Sequence, residues 1–403
     1  MLSTEQVAQR LGVKPGTIYA YVSRGLLTSA RNADGKGSLF DEAEVEAFAA
    51  GRRRFADEPV IHTGLTLIRD GRLYYRGHDA AALARSMSFE SVATLLWTGE
   101  LRHEPLTPSP GLIRLGEAVT APLPETARLT DRLRVICAAA AAADPLRFDT
   151  APTAVILTGR TMLASMVAAL PARAPSAGTP SIAALAGPAP AGSAGSPLAA
   201  LLWPRLTADA SGERELAALN AALVLLADHD IAASTLAARV AASTRAHPYA
   251  VVGAGLAALD GPLHGAASGL AYGLLADAIR TGDPVATISE RLRVGGPVPG
   301  FGHALYPGGD PRATTLLGLL GDGREREIID AVGSAVTERS GVAPNVDFAI
   351  AAFTLLNGMA ADAGEAIFAV ARTAGWIAHA LEEYGDRPSR FRPSGRYAGT
   401  PPR

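Results

Sequence analysis

At 403 residues the chain is long enough for two or three domains and a sizeable core, which excludes a small stapled scaffold. Charged residues make up 19% and hydrophobic ones 48%, with a formal net charge of −2, so the balance is globular and shows no global pull toward polyanions. Of the 37 basic residues only Lys14 and Lys36 are lysines. Positive charge is thus almost all guanidinium, the group that grips carboxylates or phosphates with paired donors, although an Arg-rich genome explains the same count. The single cysteine, Cys137, lies in Val135-Ile136-Cys137-Ala138 without a neighbouring base. It reads as a buried small hydrophobe in a reducing compartment. No basic-then-apolar leader opens the sequence, and its apolar stretches are cut short of the ~20 residues of a membrane span, so a cytoplasmic protein is expected.

Residues 1–54 read as a separate module. Ser3 or Thr4 caps a helix carrying Val7, Ala8 and Leu11, Gly12-Val13 turns, and Pro15-Gly16-Thr17 opens a second helix through Ile18, Tyr21 and Val22 that Gly25 stops. A turn-rich loop over 31–37 follows, and Asp41 opens a short helix with Val45 and Phe48 inside. These are the parts of a winged helix-turn-helix, whose second helix enters the DNA major groove. The segment resembles the DNA-binding domain of MerR-type regulators in Ser3-Thr4-Glu5-Gln6-Val7-Ala8, Gly12-Val13, Thr17-Ile18-Tyr19 and Gly25-Leu26-Leu27. Eight basic residues against six acidic ones make a modest case for DNA, and a protein-binding module is the alternative.

Beyond Arg52-Arg53-Arg54 the pattern is overwhelmingly helical, as in residues 138–143 and 215–245. Residues 171–197 are Ala/Pro/Gly/Ser-rich with Arg173 as their only charge, which predicts a surface loop or a disordered insertion. No pair of the eight histidines has a metal-ligand spacing, so no metal is expected. Three stand in unusual settings: His264 between Leu263 and Gly265, His303 after Gly300-Phe301-Gly302, and His229 between Asp228 and Asp230. A lone histidine is more often a structural hydrogen-bonder than a catalyst; two on glycine-flanked breaks are harder to dismiss. Asp347 follows Pro344-Asn345-Val346 and precedes an apolar helix, where an acidic residue is also a common cap.

In this order the pieces resemble the citrate synthase family over roughly residues 58–400. The motifs are Gly64-Leu65 with Tyr75-Arg76-Gly77; Asp228-His229-Asp230 with Ser234-Thr235; Gly261-Pro262-Leu263-His264-Gly265; Pro299-Gly300-Phe301-Gly302-His303; Asp310-Pro311-Arg312-Ala313; Asn345-Val346-Asp347; Phe368 to Arg372 with Gly375-Trp376-Ile377-Ala378-His379; and Arg392-Pro393 before Tyr397. The resemblance implies a mainly all-α citrate synthase fold, with a large domain (55–261 and 353–403) and a small one (262–352) behind the 1–54 module.

The implied reaction joins acetyl-CoA to oxaloacetate. It removes a proton from a thioester methyl group, which needs a carboxylate base and a neutral donor at the enolate oxygen. By resemblance Asp347 is the base, His264 the donor, kept neutral by a helix amino terminus, and His303 polarises the ketone. Arg312, Arg372 and Arg392, with His229, bind the dicarboxylate, and Arg392 reaches the other subunit of a homodimer. Coenzyme A enters as co-substrate along Val298, Gly300 and Gly302, with no permanent cofactor. Departures from the family pattern fall at Asp230, Ala232, Ala266, Ala267 and Ser268, and Tyr306-Pro307-Gly308-Gly309 lacks the usual basic residue. The alternatives are a 2-methylcitrate synthase using propionyl-CoA, or a DNA-binding regulator that uses this body as a ligand sensor.

Overall fold

A computed structural model describes residues 1–23, 27–31, 38–46, 48, 61–173, 197–295, 297–391 and 399. The chain divides into two compact units, Met1–His62 and Thr63–Arg403. In the first, α1 (Thr4–Leu11) starts on a reciprocal cap: the Ser3 hydroxyl accepts from the Gln6 amide, and the Gln6 side chain accepts from the Ser3 amide. Gly12, at φ 65°, ends α1 in the left-handed conformation that glycine adopts without strain, and α2 (Pro15–Ser23) follows. Strands β1 (Leu2–Ser3), β2 (Ala30–Arg31) and β3 (Ser38–Phe40) form an antiparallel sheet in the order β1-β3-β2. Val7, Ala8, Ile18, Leu27, Phe40 and Val45 bury one small core between helices and sheet. Gly25 and most of the 31–37 loop lie outside the described residues.

The second unit opens with a three-stranded meander that the helical reading of the sequence missed: β4 (Thr66–Arg69), β5 (Arg72–Tyr75) and β6 (His78–Asp79). Its signal was Asp70-Gly71, a two-residue hairpin pair. Both residues have positive φ, 52° and 70°, which matches the right-handed twist of the strands. Fifteen helices follow among the described residues: α3 (Ala80–Ser86), α4 (Phe89–Thr98), α5 (Pro110–Thr120), α6 (Leu129–Ala143), α7 (Pro152–Ala168), α8 (Pro197–Leu206), α9 (Glu213–Leu226), α10 (Ala233–Ser243), α11 (Pro248–Leu259), α12 (Ala267–Thr281), α13 (Pro284–Arg293), α14 (Pro311–Leu317), α15 (Arg324–Ser340), α16 (Val346–Leu356) and α17 (Ala363–Gly385).

The helical 215–245 stretch holds two helices, since the chain leaves α9 at Leu226 and Asp230 turns into positive φ, 51°, before α10. Of the low-complexity insertion, 174–196 lies outside the described residues, and Pro197 already begins α8. The long helix α17 is the axis of the unit. It packs against α4, α7, α9, α10 and α11, with Trp376 fully buried at the α11 crossing. Gly255 allows that crossing, since a Cβ there would stand 2.5 Å from the Trp376 ring. Helices α12 to α16 pack mainly on one another, and α14 also meets α3 and α9.

Candidate active site

One wall of the site is built on the carboxyl end of α9. A helix leaves its last carbonyls without intrahelical partners, and here distant residues supply them. The Tyr75 hydroxyl, on β5, lies 3.0 Å from the Val224 carbonyl, 3.2 Å from Leu225 and 3.0 Å from Asp228. Arg372 of α17 donates Nε to Leu226 at 2.8 Å, and the Gly375 amide donates to Ala227 at 3.0 Å. Gly375 is required for this approach: a Cβ would meet the Ala227 oxygen at 2.5 Å.

The chain that emerges carries Asp228 and His229. Asp228 is fully buried and accepts from Thr66 and His379. His379 is held in turn by Arg239, which donates to Nδ1 at 2.6 Å and pairs with Glu382 and Glu383. Arg372 is also fully buried, yet its Nη1 and Nη2 have no hydrogen-bond partner among the described residues. Burial draws its guanidinium below the ordinary value, and the nearby Asp228 charge opposes the shift.

The opposite wall is made of loops. The Gly300 carbonyl accepts from the Asn345 amide and the Gly302 carbonyl from Asn345 Nδ2, while Gly302 donates to Ala343. Asn345 Oδ1 caps α16 by accepting from the amides of Asp347 and Phe348. A single side chain thus ties the glycine loop to the helix start that carries Asp347. Gly300 has φ 87° and lies so close to α16 that a Cβ would stand 3.0 Å from Phe348 Cβ. Asp310 joins a third segment: it forms a two-pronged pair with Arg312, at 2.9 and 2.8 Å, and accepts from the Val346 amide at 3.0 Å.

Asp347 is therefore a first-turn residue rather than the cap. Its carboxylate has no hydrogen-bond partner among the described residues, and burial pushes its pKa up to about 6 despite the Arg312 charge. His303 projects from the same wall. Its Nδ1 accepts from the Leu305 amide at 3.2 Å, which leaves the ring proton on Nε2, and burial and Arg312 hold its pKa below the ordinary value.

His264 occupies the turn ahead of α12, whose cap position is Ala266. Its Nε2 pairs with Ser234 Oγ at 2.8 Å, and its ring meets Phe368 edge-on at 5.7 Å. Its pKa is pushed down to about 4 by burial first and the Arg372 charge second, so the neutral state expected from a helix amino terminus has these other causes. His229 is held far below its ordinary pKa by burial, Arg312 and Arg372, and its ring lies 5.1 Å from that of His303.

The structure brings His229, His264, His303, Arg312, Asp347 and Arg372 into one electrostatic neighbourhood, with the two arginines acting on all four of the other groups between them. Val298 is partly buried beside Gly300 and Gly302, and Arg392 lies outside the described residues. Four residues of the site were not singled out from the sequence for their roles: Ser234, Tyr306, Asp310 and Asn345. Asp310-Pro311 and Asn345-Val346-Asp347 carried a readable signal as helix starts; Ser234 and Tyr306 carried none.

Two departures have visible consequences. Ala232 is the cap position of α10 and offers no side-chain acceptor, and Ser268 is buried with its hydroxyl unpartnered among the described residues. No group of three metal-ligating side chains occurs among the described residues, and no helix among them is long and apolar enough to cross a membrane.

A family model described as citrate synthase, C-terminal domain, matches residues 54–394, and one described as a helix-turn-helix domain matches residues 1–53. A citrate synthase of Haloferax volcanii is 33% identical over 351 residues, covering 82% of this chain and 90% of that one. A 2-methylcitrate synthase of Mycobacterium tuberculosis is 30% identical over 354 residues, covering 81% and 84%. Among solved structures, the citrate synthase of Thermoplasma acidophilum, in a ternary complex with carboxymethyl coenzyme A and oxaloacetate, shares the fold. Its TM-score is 0.68 at 24% identity, covering 86% of this chain and 96% of that one. The sequence motifs, the helical fold around α17 and these matches agree: the chain belongs to the citrate synthase family and carries a helix-turn-helix domain ahead of the family's body.

Proposed function

We propose that the protein condenses acetyl-CoA with oxaloacetate and hydrolyses the citryl-CoA formed to citrate and coenzyme A. The observation that carries this reading is the setting of three groups: Asp347 buried on the first turn of α16 with its carboxylate unpartnered among the described residues, His264 with Nε2 on Ser234, and His303 with Nδ1 on the Leu305 amide, burial raising the carboxyl to about 6 and keeping both imidazoles neutral. Proton abstraction next to a thioester asks for that combination, a base poised near neutrality with uncharged donors opposite it.

Asp347 takes a methyl proton of acetyl-CoA. With Ser234 donating to His264 Nε2, the ring proton sits on Nδ1 and stabilises the enol oxygen. The enolate carbon then bonds to the ketone carbon of oxaloacetate, whose oxygen takes the His303 Nε2 proton to become a hydroxyl while the proton taken by Asp347 restores the imidazole through solvent; water then adds to the thioester carbonyl, its OH staying on citrate and its proton leaving on the coenzyme A sulfur. The Nη1 and Nη2 donors of Arg372 take a substrate carboxylate, with Arg312 and His229 beside them. Arg392 completes the site of the partner subunit in a homodimer, and coenzyme A runs along Val298, Gly300 and Gly302. Residues 262–352 act as a small domain over the large one, and the protein works in the cytoplasm.

Release of coenzyme A, followed with acetyl-CoA and with propionyl-CoA against oxaloacetate, tests the reaction and separates citrate from 2-methylcitrate synthesis. Asp347→Ala is expected to lower kcat by on the order of 10²–10⁴, the usual worth of a positioned base. Wild-type release no faster than this variant's would sink the reading.

The helix-turn-helix unit supports a second, compatible role in DNA binding, with Tyr19 exposed on its second helix. A salt-sensitive shift of duplex DNA that responds to citrate or acetyl-CoA is the expected sign, and indifference to DNA at low salt would remove this role.

A further inference from the structure

Tyr306 lies at the meeting point of the substrate-facing groups and has no part in the chemistry above. It is 2% exposed. Its hydroxyl is 2.9 Å from His229 Nε2, its ring centroid is 4.9 Å from that of His303, and the Arg312 guanidinium lies over its face at 5.3 Å. Local sequence fixes this placement. Tyr306 donates its amide to the His303 carbonyl, Gly309 donates back to the Tyr306 carbonyl, and Pro307 confines Tyr306 to extended backbone. The Tyr306-Pro307-Gly308-Gly309 segment, notable in the sequence for its missing basic residue, thus delivers an aromatic side chain to three binding groups.

The direction of the hydroxyl bond follows from satisfaction of buried polar groups. His229 Nε2 is the only hydrogen-bond partner of the Tyr306 hydroxyl among the described residues. If His229 donated, the buried phenolic proton would have no acceptor, at a cost comparable to a lost hydrogen bond. Tyr306 therefore donates, the His229 proton sits on Nδ1, and His303, whose Nδ1 accepts from Leu305, carries its proton on Nε2. Two neutral imidazoles 5.1 Å apart are held in opposite tautomers.

We infer that Tyr306 is a positioning residue for the oxaloacetate half of the site, fixing the tautomer of His229 through its hydroxyl and the placement of His303 and Arg312 through its ring. This rests on the condensation reading for the identity of the substrate, but its test reads oxaloacetate binding as well as turnover. Tyr306→Phe is expected to raise both Kd and KM for oxaloacetate about 5-fold, the worth of one hydrogen bond, while KM for acetyl-CoA stays within twofold. Tyr306→Leu, which also removes the ring, is expected to lower kcat about tenfold in addition. Because the hydroxyl acts through His229, Tyr306→Phe added to His229→Asn is expected to raise the oxaloacetate Kd less than twofold further.

A Tyr306→Phe variant with unchanged oxaloacetate Kd, or with both KM values raised alike, would overturn the assignment. So would ¹⁵N spectra placing the wild-type His229 proton on Nε2, a measurement that needs no variant. A protein that binds oxaloacetate Tyr306-dependently without releasing coenzyme A would overturn the reaction and leave this assignment standing; one that binds no oxaloacetate overturns both.

Discussion

Arg312 and Arg372 are both buried and both act on His229, one from the loop wall and one from the helix wall, yet their charges are handled in different ways. On the loop wall, Arg312 grips Asp310 with two parallel bonds, and that carboxylate also holds the start of α16. On the helix wall, Arg372 gives one donor to the end of α9 and has two without a hydrogen-bond partner among the described residues, while Asp228, whose charge acts on it, is bonded to Thr66 and His379 instead. Removing one member of a buried bidentate pair leaves an uncompensated charge, whereas no carboxylate among the described residues is bonded to Arg372, and its removal strands none. The same substitution should therefore harm binding at one position and folding at the other.

The largest effect is expected at Arg372. On the proposed reading Arg372→Met removes two charge-assisted bonds to the substrate, each worth about 1.5–3 kcal/mol, so oxaloacetate Kd should rise roughly 10²–10⁴-fold, while Tm falls less than at Arg312 because only the Leu226 carbonyl loses a donor. A fall in Tm as large as that of Arg312→Met would break the comparison. Arg312→Met strands Asp310 beneath the α16 amide, and denaturant titration should show a loss of about 3–5 kcal/mol. Urea curves that superimpose on wild type would show that the pair is not an anchor.

The walls also differ in what they do to the base. In the proposed reaction Asp347 acts deprotonated, so kcat/KM should fall tenfold per pH unit below an acid limb near pH 6. Arg312 lowers that pKa, so Arg312→Met should move the limb upward, while Arg372→Met, whose charge acts on His264, should leave it in place. A limb that follows Arg372 would assign the base elsewhere. The smallest effect is expected at Asn345. Asn345→Asp keeps the cap oxygen but loses the Nδ2 donor to Gly302, for a loss of about 1 kcal/mol and a base with a raised pKa beside its new neighbour.

Much of the candidate site was legible in the sequence because its proposed residues concentrate at breaks in helical periodicity. His264, His303 and Asp347 each stand at a turn that glycine, proline or asparagine marks, and such residues declare themselves through the backbone they require. Arg372 offered no such mark: in the middle of a buried helix it reads as any long side chain, and only motif order pointed to it. Tyr306 and Ser234 were illegible for another reason. Each acts by touching a histidine that lies far away in sequence, 77 residues for Tyr306 and 30 for Ser234, and no local pattern encodes that meeting. The β4–β5 hairpin was readable and was missed, since Asp70-Gly71 is a strong local signal overruled by the helical texture around it.

The end of α9 has one more consequence, for the order in which the protein can come into being. The carbonyls of residues 224 to 227 are closed by Tyr75 on one side and by Arg372 and Gly375 on the other, groups nearly 300 positions apart along the chain. During synthesis the helix emerges with its meander already made and its second partner still unwritten, so this wall of the proposed site stays open until α17 has been added. A chain cut short before that helix has no finished pocket and exposes unpaired carbonyls in its place. Completeness of the polypeptide is thereby written into the binding site itself.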